Sequence, residues 1–110
     1  YKNNLSTGVL ELAVQTATQS EKLWLANEAI AAADAKVAVN CALLSVEDEF
    51  VVDSVNNSNV AHNGQRMILG TTGVTVNNTG TDVTGDTGVF TQIGVVGAAA
   101  DKKIRVRLTI

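Results

Sequence analysis

Side chains that could bind a cation recur at alternate positions in segment 82–86 of this 110-residue chain. A calcium-binding loop presents its oxygen ligands at that two-residue spacing. The candidate metal-ligating residues are Asp82, Thr84 and Asp86. The segment departs from an EF-hand loop, because the sixth position is Thr87 where glycine is required and the twelfth is Ile93 where glutamate is required. We therefore expect an ordinary Asp/Thr/Gly turn here, with a cation site as the alternative.

Residues able to act as nucleophiles or general bases are few. His62 is the single histidine and Cys41 the single cysteine, so the chain forms neither an internal disulfide nor a thiolate zinc site. His62 adjoins a predicted turn and should be solvated, whereas the neighbours of Cys41 predict a small buried hydrophobic residue. Three adjacent carboxylates, Glu47, Asp48 and Glu49, are typical of a solvated acidic turn. We therefore expect no catalytic residues, no cofactor and a protein that is not an enzyme.

Charge is distributed unevenly along the chain. Eight Lys and Arg against eleven Asp and Glu give a formal net charge of −3, yet the last nine residues contain four basic ones. These candidate partner-binding residues are Lys102, Lys103, Arg105 and Arg107. Nucleic acid is not the expected partner, because the whole chain is acidic and no aromatic residues are interleaved with the basic ones. The basic strand is either a solvated face that protects an edge strand or a docking face for an acidic neighbouring subunit, and we favour the docking face.

Length and hydropathy indicate one globular domain. The chain is 45% hydrophobic and carries little net charge, which disfavours disorder. The most apolar window, 30–46, is interrupted by Asp34 and Lys36, so we expect no membrane-spanning segment, and no signal peptide is apparent. We treat residues 1–110 as a single domain, with residues 1–8 as a candidate N-terminal arm.

Alternation of apolar and polar residues predicts a chain built mainly of short strands. The predicted strands cover residues 10–15, 37–43, 50–55, 67–69, 74–76, 89–96 and 104–110. Segment 37–43 also fits a helical stripe, but its β-branched residues favour a strand. The dipeptide Asn63-Gly64 between two apolar runs predicts a two-residue hairpin, because such turns need positive φ at both central positions.

One amphipathic helix is predicted near residues 19–35. Thr18 and Glu21 fit a capping box at its start. Apolar residues follow at spacings of three and four, namely Leu23, Ala26, Ile30, Ala33 and Val37. The expected fold is therefore mainly β, an antiparallel β-sandwich or barrel of about seven short strands with this helix packed on it, and α+β is the alternative.

The Thr/Gly-punctuated stretch 70–97 and the final strand 102–110 resemble the small capsid decoration, or cement, proteins of tailed bacteriophages. The resemblance implies a virion protein that sits outside a head shell and clamps neighbouring capsid subunits. Its partner would be a larger structural protein such as a major capsid protein, and its own state a homo-oligomer or symmetric array.

Two other functions fit the composition. One is the globular domain of an extracellular filament or pilus subunit, in which residues 10–16 or 104–110 complement the sheet of another subunit. The other is a small carbohydrate- or calcium-binding β module that uses Asp82, Thr84 and Asp86.

Overall fold

A computed structural model describes residues 1–3, 10–26, 40–71, 75–79 and 82–109. The strands within these ranges are β1 (Lys2–Asn3), β2 (Leu10–Glu11), β3 (Trp24–Ala26), β4 (Cys41–Leu43), β5 (Phe50–Ser54), β6 (Arg66–Leu69), β7 (Thr75–Asn77), β8 (Phe90–Val96) and β9 (Lys103–Leu108). Single 3-10 turns occur at Val60–His62 and Ala99–Asp101. The mainly β fold class is therefore confirmed. In the described parts of the chain, no helix has the length and apolar character needed to cross a membrane.

Five of these strands close into a barrel in the order β5-β7-β6-β8-β9, with β9 pairing back onto β5. Four of the five contacts are antiparallel, and β5 runs parallel to β7. An odd number of strands cannot alternate in direction all the way round a closed ring, so one parallel contact is unavoidable. Among the described residues the predicted sandwich or barrel is thus a five-stranded barrel, so the count of about seven strands is not confirmed, and the β5–β7 contact is parallel where an antiparallel sheet was predicted.

The barrel interior is filled mainly by apolar side chains. Its buried residues include Met67, Leu69, Val76, Val89, Phe90, Ile104 and Val106. The rings of Phe50 and Phe90 meet edge to face, with centroids 5.5 Å apart. Ala13, Ala17 and Leu23 are buried in the same cluster, so segment 10–26 packs against the barrel rather than forming a separate unit.

Four short strands near the N-terminus form a second layer. β1 pairs with β2 and β3 pairs with β4, both antiparallel. The two pairs are joined because the backbones of Tyr1 and Trp24 exchange hydrogen bonds of 2.9 and 2.8 Å, next to a bridge between Lys2 and Leu23. Tyr1–Asn3 are therefore fastened to the chain's own strands rather than projecting as the arm predicted for residues 1–8, whose remainder lies outside the described residues.

The predicted helix is wrong over residues 18–26, which form turns followed by β3. Residues 27–35 of that prediction lie outside the described residues. Part of the predicted capping contact is present, since Thr18 N–H donates to Glu21 Oε1 at 2.9 Å, but it closes a turn instead of starting a helix. The other Glu21 oxygen lies 2.8 Å from Lys2 Nζ, and Trp24–Ala26 pairs with β4. These long-range contacts outweigh a local helical preference that is marginal for a short segment.

The Lys2–Glu21 contact predicts an acid-dependent contribution to stability. The hydrogen bond from Lys2 lowers the pKa of Glu21, so this stabilisation is present above the ordinary carboxyl range and is lost as pH falls through the lowered pKa. We expect Glu21→Gln to lower the unfolding free energy by no more than about 1 kcal/mol at neutral pH and by nothing in acid. Urea denaturation at both pH values measures this. Glu47→Gln, in an exposed turn, is the control, and a loss that persists in acid would contradict the assignment.

The predicted hairpin at Asn63-Gly64 is also wrong. Asn63 has φ −57° and Gly64 has φ +84°, and Gln65 N–H donates to His62 O at 2.9 Å. This is a type II turn, which needs positive φ only at its second central position. It follows a 3-10 turn instead of a strand, and β6 pairs with β7 and β8.

The strands near the end of the chain were predicted well. Segments 50–55 and 89–96 contain β5 and β8, and segments 67–69 and 104–110 overlap β6 and β9, which each begin one residue earlier than predicted. Predicted strand 10–15 shortens to β2, predicted strand 74–76 becomes Thr75–Asn77, and residues 41–43 of segment 37–43 form β4. The rest of segment 37–43 lies outside the described residues.

Candidate docking wall

The outward-facing side chains of β5 and β9 form one surface, which we call the docking wall. On β9 the exposed residues Lys103, Arg105 and Arg107 alternate with the buried Ile104 and Val106, as predicted. β9 is paired with β8 on one side and with β5 on the other. The basic side chains therefore project from a strand whose backbone is held on both sides, at the regular spacing of a pleated strand.

Lys102 stands just before this strand in an unusual backbone conformation. Its φ is +53°, in the left-handed region, and its carbonyl accepts a hydrogen bond of 2.8 Å from Ser54 N–H. The side chain is exposed. All four predicted partner-binding residues thus lie at the surface, three of them on β9 and Lys102 immediately before it.

An acidic residue neutralises one end of the basic row. Asp53 on β5 is opposite Lys103, and Lys103 Nζ donates to Asp53 Oδ1 at 2.7 Å, which raises the pKa of Lys103. Both side chains are half exposed or more, so the pair contributes little to folding stability. Its main effect is to reduce the charge of the wall at this end.

The centre of the wall combines a guanidinium with an exposed aliphatic side chain. A Cβ at Gly94 would lie 3.0 Å from Arg105 Nη2, so the guanidinium lies across Gly94 on β8, beside the register shift between Gln92 and Gly94. Val51, the cross-strand neighbour of Arg105 on β5, is left 53% exposed. The wall therefore has an apolar centre next to its basic row.

The other end of the wall again places an acid beside a base. β5 begins at Phe50, which is paired with Val106, and continuing that register by one residue would set Glu49 opposite Arg107. Glu49 and Arg107 are both exposed. Among the described residues, no carboxylate is within ion-pair distance of Arg105 or Arg107.

No protein-family model, curated protein or solved structure matches the chain.

Pairing on both sides of β9 rules out one of the two sequence-based interpretations of its charges. The interpretation that they protect an edge strand is wrong, because β9 has no free edge. For the same reason, residues 104–108 cannot be added as a strand to the sheet of another subunit while the barrel is closed. Contacts to a partner at this surface must be made by side chains.

The candidate cation-binding residues are engaged differently. Asp82 Oδ1 accepts a short hydrogen bond from Arg66 N–H and lies 3.9 Å from Arg66 Nε, which fastens this segment to the start of β6. Thr84 and Asp86 are exposed, and the Asp86 carbonyl accepts from Gln19 N–H at 2.7 Å. Over the described ranges, no three His, Cys, Asp or Glu side chains come together as a metal site.

The other residues that the sequence analysis considered for chemistry are His62, Cys41 and the acidic turn at residues 47–49. The predicted exposure is wrong for His62 and the predicted burial is wrong for Cys41. His62 is half-buried and not fully solvated, and its Nδ1 is buried with no hydrogen-bond partner. Cys41 is only half-buried, because β4 lies in the outer layer instead of the barrel interior. The predicted acidic turn at residues 47–49 is confirmed as exposed.

Sequence reasoning missed two buried amide side chains that hold the loop formed by residues 55–65. Asn78 accepts from Asn56 N–H at 2.8 Å and donates to the carbonyls of Asn56 and Asn57 at 3.1 Å each. Gln92 donates from Nε2 to the Asn59 carbonyl and to Asn63 Oδ1, both at 2.9 Å. The only sequence signal for Gln92 was its position two residues after Phe90, on the inner side of an alternating strand.

Proposed function

We propose that this chain is a non-enzymatic structural protein that binds the outside of a capsid shell and stabilises it by clamping neighbouring subunits. The observation that carries the proposal is the docking wall, in which exposed basic side chains project from a strand paired on both sides. Because the backbone of this strand is already held, binding costs little further backbone entropy. The resemblance of segments 70–97 and 102–110 to capsid decoration proteins supports the same role.

The mechanism is mechanical rather than chemical. Each subunit would make weak side-chain contacts, and the symmetry of a shell would repeat them many times, so that avidity produces a large total effect. A protein that binds the assembled shell but not its dissociated subunits stabilises the shell by mass action. The exposed charges would speed encounter and fix the orientation of docking more than they would add affinity.

Co-sedimentation with purified shells that lack this chain tests the proposal. We expect saturable binding and a higher melting temperature of the decorated shell. Arg105→Glu should weaken binding by about tenfold, because it places a like charge against an acidic contact. Lys22→Glu makes the same charge change at an exposed turn outside the wall and should bind as the wild type does.

Other results would favour the alternatives. Equal binding of the Arg105→Glu and wild-type chains would show that the wall is not the contact, and no binding to shells would reject the proposal. Concentration-dependent polymers would indicate a filament subunit. A melting temperature that rises with calcium would indicate a cation-binding module centred on residues 82–86.

A further inference from the structure

The docking wall carries two parallel rows of opposite character. The first, on and just before β5, is Glu49, Val51 and Asp53, and the second, on β9, is Arg107, Arg105 and Lys103. We call them the acidic row and the basic row. The register sets Asp53 beside Lys103 and the exposed Val51 beside Arg105, and its continuation by one residue would set Glu49 beside Arg107 at the other end.

We propose that the partner bound at this wall is a second copy of the same chain, related by a two-fold axis that runs parallel to the strands between the two rows. This inference goes beyond the proposed function: the second copy covers the wall in the free chain, and an acidic contact on a shell would replace it on docking. The rotation brings the wall of the second copy to face the wall of the first. It places the acidic row of each copy over the basic row of the other, and it leaves the position of each residue along the strand direction unchanged. Arg107 then faces Glu49 of the second copy, Arg105 faces Val51, and Lys103 faces Asp53.

Charge excludes the other symmetric ways of placing two such walls face to face. An axis lying directly over one row brings that row against its own copy, acid on acid or base on base. An axis that crosses the strands brings the basic row onto the basic row, with Arg107 opposite Lys103. Like charges placed together at an interface are strongly unfavourable, so only the axis between the rows is self-complementary.

The gain on pairing comes from specific residues. Arg107 has no carboxylate within ion-pair distance among the described residues of its own chain, and the dimer supplies one to each copy. Val51 is 53% exposed in the single chain and would be covered. Lys103 and Asp53 already form an ion pair within one chain. Replacing that pair by the same pair between the two copies would help to align the copies but would add little affinity. The contact consists of a few exposed side chains, so the dimer should be weak and sensitive to salt.

Sedimentation velocity over a concentration series, at low and high salt, tests the inference without any shell. The wild-type chain should dimerise at low salt and dissociate at high salt. Arg107→Glu leaves a carboxylate at both contacting positions, and Glu49→Arg leaves a guanidinium at both. Each variant alone should therefore dimerise at least about tenfold more weakly than the wild type.

Mixing the two variants gives the decisive measurement. In a heterodimer of Arg107→Glu with Glu49→Arg, both contacts again join opposite charges, so the mixture should dimerise as the wild type does. Thermal unfolding of each variant checks that the barrel is intact, since only a folded pair can restore association. A monomeric wild type, or a mixture no more dimeric than its components, would overturn the inference. A chain that dimerises in this way but does not bind shells even when diluted to the monomer would instead reject the proposed function and leave the inference standing.

Discussion

Asn78→Asp should lower the unfolding free energy by about 3 kcal/mol at neutral pH. The Asn78 side chain is 4% exposed, and all three of its hydrogen bonds go to the backbone of residues 56 and 57. An aspartate keeps the contact with Asn56 N–H but loses both donors. Its charge would then face the two carbonyl oxygens that the amide nitrogen now satisfies.

The pH dependence of this variant separates the proposed cause from a general packing defect. Protonation of the introduced carboxyl restores a donor and removes the charge, so the loss of stability should shrink as pH falls from neutral toward acid. Chemical denaturation at several pH values measures it. Asn57→Asp makes the same change at an exposed position of the same loop, and we expect a loss below about 0.5 kcal/mol. A loss for Asn78→Asp that is independent of pH would contradict the hydrogen-bond argument.

Gln92→Leu is the second large effect, with an expected loss of about 2 kcal/mol. Gln92 is fully buried inside the barrel, and its amide nitrogen donates to Asn59 O and Asn63 Oδ1. Leucine fills a similar volume but leaves both acceptors without this donor. Part of the loss is offset, because Gln92 Oε1 has no hydrogen-bond partner and its removal relieves that cost.

The denaturant midpoint measures this loss, with an unchanged slope as evidence that the same surface is exposed on unfolding. Gln15→Leu, at an exposed turn, is the matched control and should change the unfolding free energy by less than about 0.5 kcal/mol. Equal midpoints for Gln92→Leu and the wild type would show that the loop of residues 55–65 does not depend on this amide.

The alternation of apolar and polar residues along the sequence was enough to predict those strands that have one buried, apolar face and one exposed, polar face. In β9 the alternation of buried Ile104 and Val106 with exposed Arg105 identified both the strand and its outward basic residues. The interior of β8 was less obvious, because Gln92 is polar and fully buried. Its burial depends on acceptors supplied by a loop about 30 residues earlier in the chain, which no local period encodes.

The errors arose where distant residues decided the outcome. The spacing of Leu23 and Ala26 suits a helix, but β3 is fixed by β4 and by Tyr1, which are far from it in sequence. Only the basic half of the docking wall was predicted from the sequence, because its residues follow one another within a single strand. The acidic row beside them depends on the pairing of β5 with β9, and strand order is not a local property.

That same pairing has a consequence for how the chain acquires its structure during synthesis. The barrel closes only when β9 joins β5, which lies about fifty residues earlier in the sequence. Until then, β5 and β8 each present an unsatisfied backbone edge to the surrounding solution. Closure of so long a loop is entropically slow, and open edges attract other chains. The emerging chain therefore passes through an interval in which it is vulnerable to aggregation, and the pairing of β9 with β5 ends that interval.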